Sequence, residues 1–253
     1  MKQHFFILII VSLVLFSATN SFAQSKQTIP FPKIGIDIGS ASTPEDVSTT
    51  LQILLLMTIL SLAPSILIMT TSYLRLIIVF HFLKTALGTQ SMPPSQLLAG
   101  IALFITFFVM APTFSKINDD ALQPLMKGEM KIETAMEKGV EPLRLFMLKN
   151  VRDEDIALFL DMAKIELPET RTEVPTYILL PAFAISELRA GFIIGFFIFI
   201  PFIMVDMIIA SILLSMGMMM IPPMMISLPF KILLFILIDG WSLIIGSVIR
   251  SFG

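Results

Sequence analysis

Four ionisable side chains stand where such groups are costly. Glu187 and Asp206 interrupt one apolar stretch, and Lys231 and Asp239 interrupt the next. A charge at the centre of a membrane segment costs about 2.5–3.5 kcal/mol on insertion scales, so it turns to protein or to a water-filled cavity and finds a partner there. Two kinds of chemistry follow. The carboxylates could relay protons or ions, with Asp206 and Asp239 as the path of an ion-coupled carrier, or the four groups could form ion pairs that join helices or subunits. Carriers commonly show internal repeats with broken helices in matching positions of each half. The apolar segments here share only a proline each, which favours structural pairing.

A second group of residues suits sealing rather than reaction. Six methionines fall within residues 216–225, in a Gly and Pro-Pro segment that carries no charge from 215 to 223. Methionine is unbranched and polarizable, so it can fill an irregular gap and re-form after displacement. The alternative is plain core filling. A turn facing water would carry polar side chains, so something other than water must contact this one. A hydrophobic constriction can also gate by excluding water.

Other chemistry is excluded or unsupported. The chain has no cysteine and only two histidines, His4 and His81, so one copy cannot build a thiolate, iron–sulfur or multi-histidine site. No phosphate loop, Ser-His-Asp set or paired catalytic carboxylates can be read from it, and the expectation is a non-enzyme without cofactor or metal. With 17 Lys and Arg against 19 Asp and Glu, the formal charge of -2 gives no basic excess for nucleic acid.

The elements that must position these groups alternate between water and an apolar medium. Of the 253 residues 56% are hydrophobic and 14% charged, far from the usual soluble balance of roughly 25% charged. Of the 36 charged residues, 22 lie between residues 116 and 173. The N-terminus reads as a signal peptide over 1–23, with an early lysine, an apolar run over 5–16 and small residues Ser21 and Ala23 before the cut. An uncleaved anchor is the alternative, but 12 apolar residues are too few to cross ~30 Å of hydrocarbon. Residues 24–50 form a periplasmic lead-in containing Pro, Gly and Ser.

Residues 51–111 read as a first apolar helical hairpin. Its first arm, 51–80, is kinked at Pro64; its turn lies over 81–96 and its second arm over 97–111. Arg75 and Lys84 near the turn place it in the cytoplasm. Residues 112–176 read as a periplasmic helical region, with a helix starting at Glu141-Pro142, Gly139 ending an earlier one, and Ile156, Phe159, Leu160 and Ala163 on a 3.6-residue period behind Asp153. Residues 177–253 form a second apolar hairpin that carries the methionine loop. Gly191 and Gly195 have the spacing that lets helix backbones approach closely.

Three groups of ordered strings resemble a known family: 73–80 (YLRLIIVF) with 86–90 (ALGTQ) and Met92-Pro93-Pro94; 180–188 (LPAFAISEL) with 194–202 (IGFFIFIPF); and 215–223 (SMGMMMIPP) with 228–231 (LPFK) and 238–241 (IDGW). They are similar to the FliP family of type III protein-export gates, flagellar and injectisome. The N-terminal leader favours the flagellar branch.

The resemblance implies an all-α membrane-associated protein whose kinked hairpins assemble into a helical pore. Five copies would join FliQ, FliR and other export-apparatus proteins within the basal-body ring. The pore would conduct unfolded flagellar subunits through the bacterial inner membrane, and its helices would meet lipid or other subunits. Met218, Met219 and Met220 match the family's pore gasket, and Glu187 and Lys231 its inter-subunit salt bridge. Asp206 matches a family position whose role the resemblance does not supply.

Overall fold

The computed structural model describes residues 44–89, 92–218 and 220–253, with side chains from Thr50 onward. The expected signal peptide, most of the lead-in and Met219 lie outside the described residues. Among the described residues every regular element is helical. In order these are α1 (Pro44–Met69), α2 (Tyr73–Leu87), α3 (Ser95–Ile117), a π-helical turn (Asn118–Leu122), α4 (Gln123–Met126), α5 (Ile132–Asn150), α6 (Asp153–Ala163), a 3-10 turn (Arg171–Glu173), α7 (Thr176–Ser215), α8 (Pro223–Leu237) and α9 (Gly240–Arg250). The chain divides into two units, 1–52 and 53–253, and the packed helices belong to the second.

The apolar stretch expected as one arm over 51–80 is two helices. Pro64 sits inside α1, and the break falls at Thr70, Thr71 and Ser72. The Thr70 and Thr71 hydroxyls donate back to the carbonyls of Leu67 and Ile68, at 3.3 and 3.4 Å, in competition with the helical ladder. The part of α1 within this unit leaves its leucines and isoleucines exposed, apart from the half-buried Ile53. The antiparallel packing in this region is that of α2 with α3, across a turn begun by Gly88 at φ 71°, whose N–H bonds the Thr85 carbonyl.

Helix α2 packs most extensively on α7. Gly191 and Gly195 make that approach possible: a Cβ at Gly191 would lie 2.9 Å from Ile78 Cγ2, and one at Gly195 2.5 Å from the Phe82 ring. Leu76, Val79, Phe80 and Leu83 of α2 then bury with Phe202 of α7 and with Phe235, Ile244, Val248 and Phe252 of the C-terminal region. A second core joins Met147 and Leu148 of α5 and Ile156 and Leu160 of α6 to Ile178, Leu179, Ala182 and Phe183 of α7.

Two expectations in the charged region do not match the helices found. Helix α5 begins at Ile132, so Gly139 and Pro142 both lie inside it, where Pro142 removes the donor for the Lys138 carbonyl. A Cβ at Gly139 would meet Ala121 Cβ at 3.6 Å, which shows how closely the π-helical turn packs on α5. The second arm of the hairpin expected over 177–253 is likewise divided. Helices α8 and α9 meet at 63°, with Asp239 in the left-handed region at φ 48°. Aspartate tolerates that conformation better than most residues, and Gly240 follows because a Cβ there would lie 2.2 Å from the Phe235 ring.

Among the described residues three helical stretches are long and apolar enough to cross a bilayer: Thr50–Met69, Ser95–Met126 and Thr176–Ser215, of 20, 32 and 40 residues. The bent α8–α9 pair could serve as a fourth. At ~1.5 Å per residue α7 is about 60 Å long, twice the ~30 Å of hydrocarbon.

Candidate functional site

Glu187 projects from α7 between the two cores and is fully buried. Its carboxylate accepts from Arg75 Nε at 2.9 Å and from Nη2 at 2.5 Å, a bidentate pair between α2 and α7. Arg75 Nη1 donates to the Ser251 carbonyl at 2.9 Å and to its hydroxyl at 2.7 Å. The guanidinium carbon lies 3.8 Å from the centre of the Phe252 ring, which stacks on Phe146 of α5. One guanidinium therefore fixes α2, α7 and the segment after α9 together. The preceding residue on α7 reaches the other way: Ser186 Oγ donates to the buried Asp155 carboxylate of α6 at 2.6 Å and accepts from the Arg152 N–H at 3.1 Å.

A second ion pair, with Lys231 buried and Asp206 partly exposed, lies nearer the methionine loop. Lys231 Nζ on α8 donates to Asp206 Oδ2 on α7 at 2.6 Å, and Ser227 Oγ donates to Asp206 Oδ1 at 2.5 Å. Lys231 is also close to the C-terminal end of α2, since a Cβ at Gly88 would lie 3.6 Å from its Nζ. A cation is favoured there by the exposed carbonyls of the helix end.

Glu187 and Lys231 thus do not meet each other within the chain, and each has a different intrachain partner. Asp206, whose role the sequence left open, is the counter-ion of Lys231. Asp239 caps the bend between α8 and α9 through its backbone, accepting from the Leu243 N–H at 3.1 Å, while its side chain is exposed. No group of three or more His, Asp or Glu that could hold a metal occurs among the described residues.

The loop between α7 and α8 presents methionine to the outside. Met220 is 97% exposed and Met216 66%, as is Met225 at 73% in the first turn of α8, whereas Met218 is about one-third exposed. Gly217 turns the chain at φ 76°, with no atom within 4 Å of the position a Cβ would take. Burial of such side chains is worth roughly 25 cal/mol per Å² of apolar surface. The free chain leaves that stabilisation unused.

Sequence reasoning missed Arg75, Ser251, Phe252 and Ser227 as members of these clusters. Arg75 gave a visible signal, a lone cation in an apolar stretch, but was read only for orientation. Its carboxylate partner is 112 positions away, and no local pattern reports a pair so distant.

Comparison with known proteins identifies the family. The model of the FliP family matches residues 56–248. The flagellar biosynthetic protein FliP of Bacillus subtilis is 56% identical over 217 residues, which cover 86% of this chain and 98% of that protein. The protein of the same name from Treponema denticola is 42% identical over 270 aligned positions and the full length of both chains. That of Caulobacter vibrioides is 50% identical over 201 residues, covering 79% of this chain and 76% of that one. With 193 of its 253 residues inside the family match and relatives aligned over nearly their whole length, the chain belongs to the FliP family.

Proposed function

We propose that this chain is a pore-forming subunit of a flagellar type III protein-export gate, working as five copies with FliQ and FliR in the inner membrane and basal body. The gate conducts unfolded flagellar subunits and carries out no covalent step. The observation that carries the reading is the uncharged loop between α7 and α8, whose methionines stand exposed in a single chain. Met218, Met219 and Met220 from several copies would converge there as a deformable apolar seal, open to a passing polypeptide and closed to small solutes. The relatives' printed name, flagellar biosynthetic protein, supports the flagellar setting.

Asp206 has a structural partner in the Lys231 amine and a second in the Ser227 hydroxyl, which favours ion pairing over the carrier reading. The length of α7, about twice the hydrocarbon thickness, supports an assembly that stands partly outside the bilayer. A Glu187–Lys231 bridge between copies forms in this reading only by partner exchange, with Arg75 and Asp206 each giving up a bond of the single chain. The test is permeability. Replacing Met218, Met219 and Met220 by alanine should let small solutes leak through membranes that contain the assembled complex, and an unchanged permeability would reject the seal.

A further inference from the structure

From Thr176 to Gly253 the chain carries three acids, Glu187, Asp206 and Asp239, and three bases, Arg189, Lys231 and Arg250. Glu187 is matched by Arg75 and Asp206 by Lys231. Asp239 and Arg189 are not matched: both are exposed, and among the described residues neither side chain has a hydrogen-bond or ion-pair partner. Each stands among exposed apolar side chains, Leu188, Phe192 and Ile193 around Arg189, and Ile236, Leu237 and Ile238 just before Asp239. An unpaired charge in an apolar segment is costly, so whatever covers these faces must bring the opposite charge.

The bend between α8 and α9 does not itself require a carboxylate. Asp239 adopts the left-handed conformation at φ 48°, which glycine or asparagine serves as well, and its side chain does not cap α9. Asp239 starts α9, whose far end is tied through Ser251 and Arg75 to Glu187, two positions from Arg189. The 11 residues of α9 at ~1.5 Å each therefore set the two charges about 16 Å apart along the molecule. Other cations of the apolar segments are engaged. Lys84 donates to Ser95 Oγ at 2.9 Å, and Arg250 folds back on its own helix, 3.5 Å from where a Cβ at Gly246 would lie.

We infer that Arg189 of one copy pairs with Asp239 of the next. The inference rests on the reading that several copies of this chain adjoin, and it names the charges that set their register. Because the two groups stand at opposite ends of α9, the neighbour is displaced along that helix. Such a head-to-tail contact repeats without closing into a flat ring.

The test uses the full-length protein in its purified complex. Two differently tagged chains are produced together, one carrying R189C and the other D239C, and a short bismaleimide is added, the chain having no cysteine of its own. A crosslink joining the two tags is expected, whereas D239C with R250C should give none. Charge reversal supplies a second readout. R189D and D239R should each lower the yield of intact complex roughly tenfold, and R189D/D239R should restore most of it. Native mass spectrometry counts the copies. Several copies without a crosslink between 189 and 239, or with D239C joined to R250C instead, overturn the pair and leave the multi-copy reading standing. A complex that holds one copy overturns both. Assembly unchanged by either single reversal, or not regained by R189D/D239R chains that accumulate normally, also rejects the pair. Should the reversal variants fail to accumulate, the crosslink decides.

Discussion

Arg75 and Glu187, 112 positions apart, form a two-bond ion pair at the contact of α2 with α7, and neither side chain is more than 5% exposed. The same guanidinium holds Ser251 and lies on the Phe252 ring. Charge buried so fully is tolerated only while it stays paired, and breaking such a pair costs roughly 3–5 kcal/mol.

Reversal of single charges should therefore abolish accumulation of the protein, whether at Arg75→Glu or Glu187→Arg. The double reversal R75E/E187R should recover part of it, measured as full-length protein extracted from membranes. The pair E187K/K231E distinguishes the two arrangements of charge. Recovery by R75E/E187R alone assigns the carboxylate to its intrachain partner, whereas recovery by E187K/K231E alone assigns it to a neighbouring copy.

Asp206→Asn keeps an acceptor for Ser227 but leaves Lys231 buried without a counter-ion. Assembly should fall, and D206N/K231M should restore part of it, because the second change removes the buried charge left without a counter-ion. Native gel electrophoresis of the solubilised complex reads the result. Normal assembly of D206N with loss of export would instead point to a carrier carboxylate.

Glycine substitutions should separate close packing from open helix. Gly195→Val drives a side chain into the Phe82 ring and should cost roughly 1–3 kcal/mol. Gly100→Ala, where no atom lies within 4 Å, should be neutral or gain about 0.5–1 kcal/mol. Thermal unfolding in detergent compares the two.

Phe252→Ala removes a buried ring that stacks on Phe146 and covers Arg75. A loss of roughly 3–5 kcal/mol is expected. Limited proteolysis should show faster cleavage near the end of α9.

The sequence made some of this legible through composition alone. The methionine loop stood out because no charge falls within it, and the buried charges stood out because their neighbours are apolar. The two unexpected breaks also left traces. Three successive hydroxyl residues at Thr70, Thr71 and Ser72 can draw carbonyls out of a helix, and Asp239-Gly240 is a turn dipeptide. Hydropathy outweighed both signals. Pro142 misled in the opposite direction, since a proline suits a first turn, yet packing of α5 on α3 and α7 carries the helix through it. The Arg75–Glu187 pair was illegible as a pair, because only the packing of α2 along Gly191 and Gly195 brings its members together.

In the assembled gate, copies of the Gly217 bend should meet across a narrow opening. Because the chain has no cysteine, a single cysteine at Met218 reports on this directly in the resting assembled complex. Oxidation should link chains into dimers through residue 218, while a membrane-impermeant maleimide labels that cysteine slowly. Chains that stay unlinked under oxidation, with the cysteine labelled as fast as one placed at an exposed site in α5, would contradict the account.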